Sequence, residues 1–212
     1  SQLQGVLSLA VDAADASRLY LAAGQYTASW ARNAALLRSA DGGARWARTE
    51  LPFKLGGNED GRTAGERLQV DPNKGSVLFL GTNADGLWKS TDRGATWSRV
   101  TAFSPASVTF VLFDGASGTS GNATPRLYAG VNSSSGANLY RSTDGGASWS
   151  AVAGQPMGLI PHHAAIDASG VLYLSYSNGL GPNNVTDGAV WKLAVATGTW
   201  TRISPVVPGA AG

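Results

Sequence analysis

The strongest constraint on this chain is an eight-residue pattern, S-x-D-x-G-x-x-W, that returns at a nearly fixed interval. It runs from Ser39 through Asp41 to Trp46, from Ser90 through Asp92 to Trp97, and from Ser142 through Asp144 to Trp149. Asp41 and Asp92 lie 51 positions apart, and Asp92 and Asp144 lie 52 apart. A fourth copy is worn but in register, because Leu139 to Trp149 and Val190 to Trp200 each span ten positions. There Val195 stands in place of the Asp, while Gly198 and Trp200 remain. A period of this kind means that each repeat is one supersecondary unit burying its face against the next.

The motif reads as a folding staple. An Asp carboxylate accepts N–H groups of its own turn, Gly supplies positive φ, and Trp packs beneath a neighbouring sheet. The competing reading, a calcium or acid/base site, is the less favoured of the two, because a motif match alone does not establish a site.

Between the staples lie short β-branched and aromatic runs bounded by Gly, Asn, Asp and Pro, too short for helices. Four recur per repeat: in the first, Val6 to Val11, Arg18 to Ala22, Ala35 to Arg38 and Trp46 to Thr49. Four antiparallel strands per fifty or so residues make a β-propeller blade. The reading is therefore all-β, about four blades in a single partial propeller domain over 1–212, with repeats near 1–50, 51–101, 102–153 and 154–205.

Composition agrees. The 212 residues are 43% hydrophobic and 14% charged, which suffices for a core, and 28 Gly and 9 Pro suit many turns. A net charge of +2 without a dense Lys/Arg run gives no basis for nucleic acid or an anionic membrane as partner. No apolar run is long enough to span a bilayer, and no signal peptide opens the sequence, as in mature or trimmed material. With no Cys there are neither disulfides nor thiolate metal sites, and no cofactor motif is visible.

Strand alternation sorts the loops. The turn after the first strand of each repeat shares a face with the staple. The loop after the second strand shares the opposite face with the connection to the next repeat. That second face carries the long, chemically varied segments 24–33, 51–66, 155–163 and 176–187, and loops on a rigid scaffold are where binding groups concentrate. Tyr26 and Trp30 could stack on the apolar faces of sugar rings there, or fold back onto a neighbouring blade. Arg62 and Glu66 could hydrogen-bond sugar hydroxyls or pair with each other, the pairing being favoured. Glu59, Asp60 and Asp187 read as solvated carboxylates, and Asn58 and Tyr176 complete the set of substrate-binding candidates. His162 and His163, vicinal on an extended strand, should point to opposite faces, one toward the propeller axis, and so not chelate one metal.

These loops carry a family resemblance. LPFKLGGNEDGRTAGERL at 51–68, followed by VDPN at 70–73, resembles the corresponding segment of the family 74 glycoside hydrolases, the xyloglucanases; GLIPHHAA at 158–165 and GAVWK at 188–192 are similar to the same family. The staple corresponds to that family's Asp-box (BNR repeat), which sialidases and sortilin-type receptors share. The resemblance implies an inverting endo- or chain-end-acting β-1,4-glucanase on xyloglucan, secreted by a bacterium and built from two seven-bladed propellers clasping a cleft. It also implies two catalytic Asp residues, one in a segment of type R-T-D-I-G-G-A-Y and one in the second propeller. Neither segment occurs in this sequence, so no catalytic residue is assigned and the chain alone is expected to be inactive. Missing blades or a second propeller are its expected partners, together with xyloglucan or a related β-glucan. The alternative is a non-catalytic carbohydrate-binding or scaffold module. A sialidase reading lacks the arginine cluster and the Tyr/Glu nucleophile pair.

Overall fold

Apolar side chains recurring at every second position give a strand one face to bury, and sheets so patterned must stack. In the computed structural model, which describes residues 4–181 and 183–205, they do so as four separate four-stranded antiparallel sheets. The first sheet comprises β1 (Val6–Asp12), β2 (Asp15–Ala23), β3 (Ala35–Ser39) and β4 (Ala47–Glu50). The second comprises β5 (Leu68–Val70), β6 (Leu78–Gly81), β7 (Leu87–Ser90) and β8 (Ser98–Arg99). The third comprises β9 (Val108–Phe113), β10 (Leu127–Val131), β11 (Leu139–Ser142) and β12 (Ser150–Ala151). The fourth comprises β13 (Ile160–Ile166), β14 (Val171–Ser177), β15 (Gly188–Ala194) and β16 (Thr199–Arg202). Strand order within each sheet is sequential, and the first strands β1, β5, β9 and β13 neighbour one another along the inner side. This is the propeller-blade arrangement.

The core lies between blades. Leu36, Leu55, Leu68 and Leu80 join the first and second sheets. Phe79, Phe103, Val111 and Leu127 join the second and third. Phe110, Tyr128, Leu172 and Leu193 join the third and fourth.

The staples form as the sequence requires. Ser142 Oγ donates to Asp144 Oδ1 at 2.8 Å, the Gly146 N–H donates to Ser142 Oγ at 2.8 Å, and the Ser148 N–H donates to Asp144 Oδ1 at 2.9 Å. Trp149 Nε1 closes the turn on the Gly146 carbonyl at 3.2 Å. The same network links Ser90, Asp92, Gly94 and Trp97, and again Ser39, Asp41, Gly43 and Trp46. Trp97 and Trp149 pack against the clusters shared with the preceding sheet. Trp46 does not: with no preceding sheet among the described residues it stays 39% exposed, as do Val6, Leu9 and Val11 on the same blade at about half.

The fourth copy departs further. Its hairpin closes over residues 195–198 rather than the longer span of 143–149, and Gly198 (φ +71°) lies one position nearer its Trp than the staple glycine does. Trp200 Nε1 donates to the Ala153 carbonyl of the preceding connection at 3.0 Å instead of to its own turn. Losing the carboxylate removed the acceptor that holds the longer turn open. The sequence from Ser204 to Gly212 reads as an interblade connection, and from residue 206 onward it lies outside the described residues.

Candidate functional site

The face opposite the staples is organised by the connection from the first blade to the second. Residues 51–59 run beside the 24–34 loop. The Gly57 N–H donates to the Gly24 carbonyl at 2.8 Å, and the Asn58 N–H donates to the Gln25 carbonyl at 2.9 Å. At the far end the Ala34 N–H donates to the Phe53 carbonyl, and the Leu51 N–H to the Ala34 carbonyl, both at 2.9 Å. Adding a side chain at Gly57 would drive it into the Gly5 carbonyl and within 2.8 Å of the Gly24 carbonyl, so only Gly permits this approach. Beyond Asn58 the connection crosses to the fourth blade, where the Gly61 N–H donates to the Gly181 carbonyl at 3.1 Å.

Tyr26 and Trp30 come together on this face. Their rings lie 5.2 Å apart at 52°, Tyr26 half-buried and Trp30 73% exposed. They line a cleft of about 400 Å³ with Gln25, Arg32 and Asn33. A large exposed aromatic beside amide and guanidinium groups offers an apolar platform with hydrogen-bonding neighbours, the pairing of surfaces that a sugar ring presents in reverse.

Asn58 is exposed at the edge of the same strip. Arg62 and Glu66 do not pair, contrary to the reading from sequence. Arg62 Nη1 donates to the Glu59 carbonyl at 3.4 Å, while the Glu66 carboxylate accepts Ser8 Oγ at 2.7 Å. The turns at Gly61 and Gly65, both with positive φ, point the two side chains apart. Glu59 is also not simply solvated. It is half-buried, and its carboxylate accepts the Thr27 N–H at 2.6 Å and the Thr27 hydroxyl at 2.9–3.0 Å.

The two histidines depart from flat-strand alternation. β13 and β14 pair Pro161 with Tyr176 and His163 with Ser175, leaving His162 as the extra residue of a bulge. The rings consequently lie 6.4 Å apart rather than on opposite faces. His163 is exposed. His162 is half-buried, its Nε2 2.8 Å from the Gly179 carbonyl and 2.7 Å from Ser177 Oγ. Ser177 Oγ itself donates to that carbonyl at 2.6 Å, so a protonated Nε2 makes Gly179 the double acceptor. Burial holds the His162 pKa below its ordinary value of 6.5, against the opposing pull of the Gly179 bond. The imidazole thus anchors the 178–181 loop as a neutral donor.

Tyr176 is removed from any ligand-facing set. It lies inside β14 rather than on the following loop, is 3% exposed, and belongs to the third core cluster. Among the described residues its hydroxyl has no hydrogen-bond partner, and burial raises its pKa.

Sequence reasoning passed over Arg67, which is 1% exposed. Its Nε donates to the Val108 carbonyl at 2.6 Å and Nη2 to the Gly61 carbonyl at 2.8 Å, so one guanidinium ties the long connection to the third blade. Burial pushes its pKa down to about 10, which still leaves it charged at neutral pH. Its place at the head of a strand run concealed it, since nothing local marks a strand arginine as turned inward.

No family model matches the chain. Individual proteins do: a Paenibacillus xyloglucanase is 50% identical over 220 residues, covering 95% of this chain and 21% of that protein. The crystal structure of the family 74 xyloglucanase from Xanthomonas campestris superimposes with a TM-score of 0.94 at 47% identity, over 100% of this chain and 32% of that one. By sequence and by fold, the chain belongs with the family 74 glycoside hydrolases. The family 74 enzyme of Niastella koreensis agrees, with a TM-score of 0.87 at 41% identity, over 96% of this chain and 30% of that one. The chain therefore spans about a fifth to a third of the length of the family 74 proteins it matches. Among the described residues no helix is long and apolar enough to cross a membrane.

Proposed function

We propose that this chain supplies part of the substrate cleft of a xyloglucan-hydrolysing β-1,4-glucanase acting outside the cell. The Tyr26–Trp30 platform binds the polysaccharide, and Asn58, Arg62, Glu66, His162 and His163 border the same face. The observation that carries this reading is the exposed Trp30 against Tyr26 on the face opposite the staples, in a chain half identical to a xyloglucanase. Hydrolysis itself belongs to carboxylates outside this sequence. Asp41, Asp92 and Asp144 are committed to their turns, and an inverting pair needs two carboxyl groups about 6.5–9.5 Å apart with room for water. The exposed apolar strip of Val6, Leu9 and Val11 supports completion of the arc by a further sheet.

Affinity electrophoresis through xyloglucan tests the binding role. The wild-type chain should be retarded and Trp30→Ala should run about as it does in a gel without polysaccharide. Equal mobility of the wild type in both gels would sink the proposal. Release of reducing ends from xyloglucan by this chain alone should be absent.

A further inference from the structure

An aromatic that is 73% exposed cannot be oriented by its own burial, and neither the Tyr26 hydroxyl nor the Trp30 indole N–H makes a hydrogen bond among the described residues. Something else must fix the backbone beneath them. The 51–59 connection contributes two oppositely charged side chains that do this. The Glu59 carboxylate takes the Thr27 N–H at 2.6 Å together with its hydroxyl. The Lys54 ammonium donates to the Ala28 carbonyl at 2.5 Å and the Ser29 carbonyl at 2.9 Å. An anion thus satisfies the donor, and a cation the acceptors, of three successive residues lying between the two rings. Peptide groups that elsewhere in this blade are paired by a neighbouring strand are here held by charge-assisted bonds, the stronger class. The Ala31 N–H closes back on the Ala28 carbonyl at 3.0 Å, which carries the constraint to Trp30.

Resting on the carbohydrate-binding reading above, we propose that Lys54 and Glu59 are positioning residues. They hold the 27–29 backbone so that the Tyr26 and Trp30 rings present one preformed platform to the apolar faces of pyranose rings. Ordering a residue costs backbone entropy, and a loop ordered before binding does not pass that cost to the ligand. Preorganisation, not contact, is how these two side chains raise affinity. Glutamine at 59 retains a carbonyl oxygen able to accept the Thr27 N–H, so it should preserve most of the effect; alanine should not.

The test has two readouts on the 212-residue chain. In protein labelled with 5-fluorotryptophan, the Trp30 fluorine resonance is assigned by its loss in Trp30→Phe. Its line should narrow in Glu59→Ala and in Lys54→Met, with the Trp97 and Trp149 lines unchanged as reporters of the fold. Calorimetry with a xyloglucan oligosaccharide should show affinity falling about tenfold in each variant and recovering to within about threefold of wild type in Glu59→Gln, about the effect of ordering one or two groups. Unchanged Trp30 lines in both Glu59→Ala and Lys54→Met would overturn the positioning role even if the wild type binds. Narrowed lines in a protein that does not bind the oligosaccharide would keep the clamp and overturn the carbohydrate reading instead. If Glu59→Ala fails to fold, Lys54→Met, acting on the other side of the same peptide groups, decides the matter alone.

Discussion

Gly146 sits against the ring of Phe79 in the preceding sheet: a Cβ built on it would stand 2.5 Å from Phe79 Cζ, at a φ of +87°. The staple of one blade is thus also the wedge that seats it on the blade before. Gly94 stands in the same relation to Leu36.

Gly146→Ala should therefore destabilise twice over, by left-handed backbone strain and by overpacking, for a combined loss of about 2–4 kcal/mol. Urea unfolding followed by tryptophan fluorescence measures it. A loss below about 1 kcal/mol would mean that the interblade seam yields there.

Arg93 occupies the position that Gly42 and Gly145 hold in the other staples, and it does so at φ +59° with an exposed side chain. Its N–H donates to the Ser76 carbonyl, a bond that glycine keeps. Arg93→Gly relieves the strain at some entropic cost in the unfolded chain, so a net gain of about 0.5–1 kcal/mol is expected. The check is the unfolding midpoint in urea, which should rise with the slope unchanged.

Hydrogen bonds from the Ser148 hydroxyl and N–H, and from the Ser142 hydroxyl, bring the Asp144 pKa down from 3.8 to about 2. The depressed value means that the ionised form is the one favoured by folding. Its stabilisation is complete above about pH 4 and is lost as pH falls through 2. Asp144→Asn should flatten the acid limb of the stability curve between those values while lowering stability at pH 7.

His162 behaves as a base kept neutral by burial. Its folded pKa lies below the unfolded value, so stability is full above about pH 6.5 and declines as pH falls through the folded pKa. An NMR titration should place the His162 imidazole below 6.5. His162→Gln, which retains a donor toward the Gly179 carbonyl, should remove that part of the pH dependence. A His162 pKa above 6.5 would show that the neutral anchor is wrongly assigned.

The repeat made the blades legible because a staple is local chemistry: Ser, Asp, Gly and Trp within eight residues satisfy one another wherever the chain runs, and strand alternation then sorts the loops into two faces. The same logic located the segment holding Tyr26 and Trp30. Legibility ended where partners are distant in sequence. Glu59 looked solvated, yet it holds Thr27 from 32 residues away. Arg67 looked like an ordinary strand residue, yet it bridges to Val108, 41 positions on. Tyr176 looked like the start of a loop, because the end of a strand is set by its pairing with Ala189 rather than by its own type. His162 and His163 were expected to alternate until a bulge displaced one of them.

By itself, then, the sequence determined the period, the turns, the strand content and which loops gather on the cleft face, since each depends on interactions within a few residues. The tertiary structure decided which of those loop residues remain free to meet a ligand and which are consumed in holding the loops. That choice depends on how charged and polar groups from different blades satisfy one another once burial forbids water from doing so, and no single stretch of chain contains both partners.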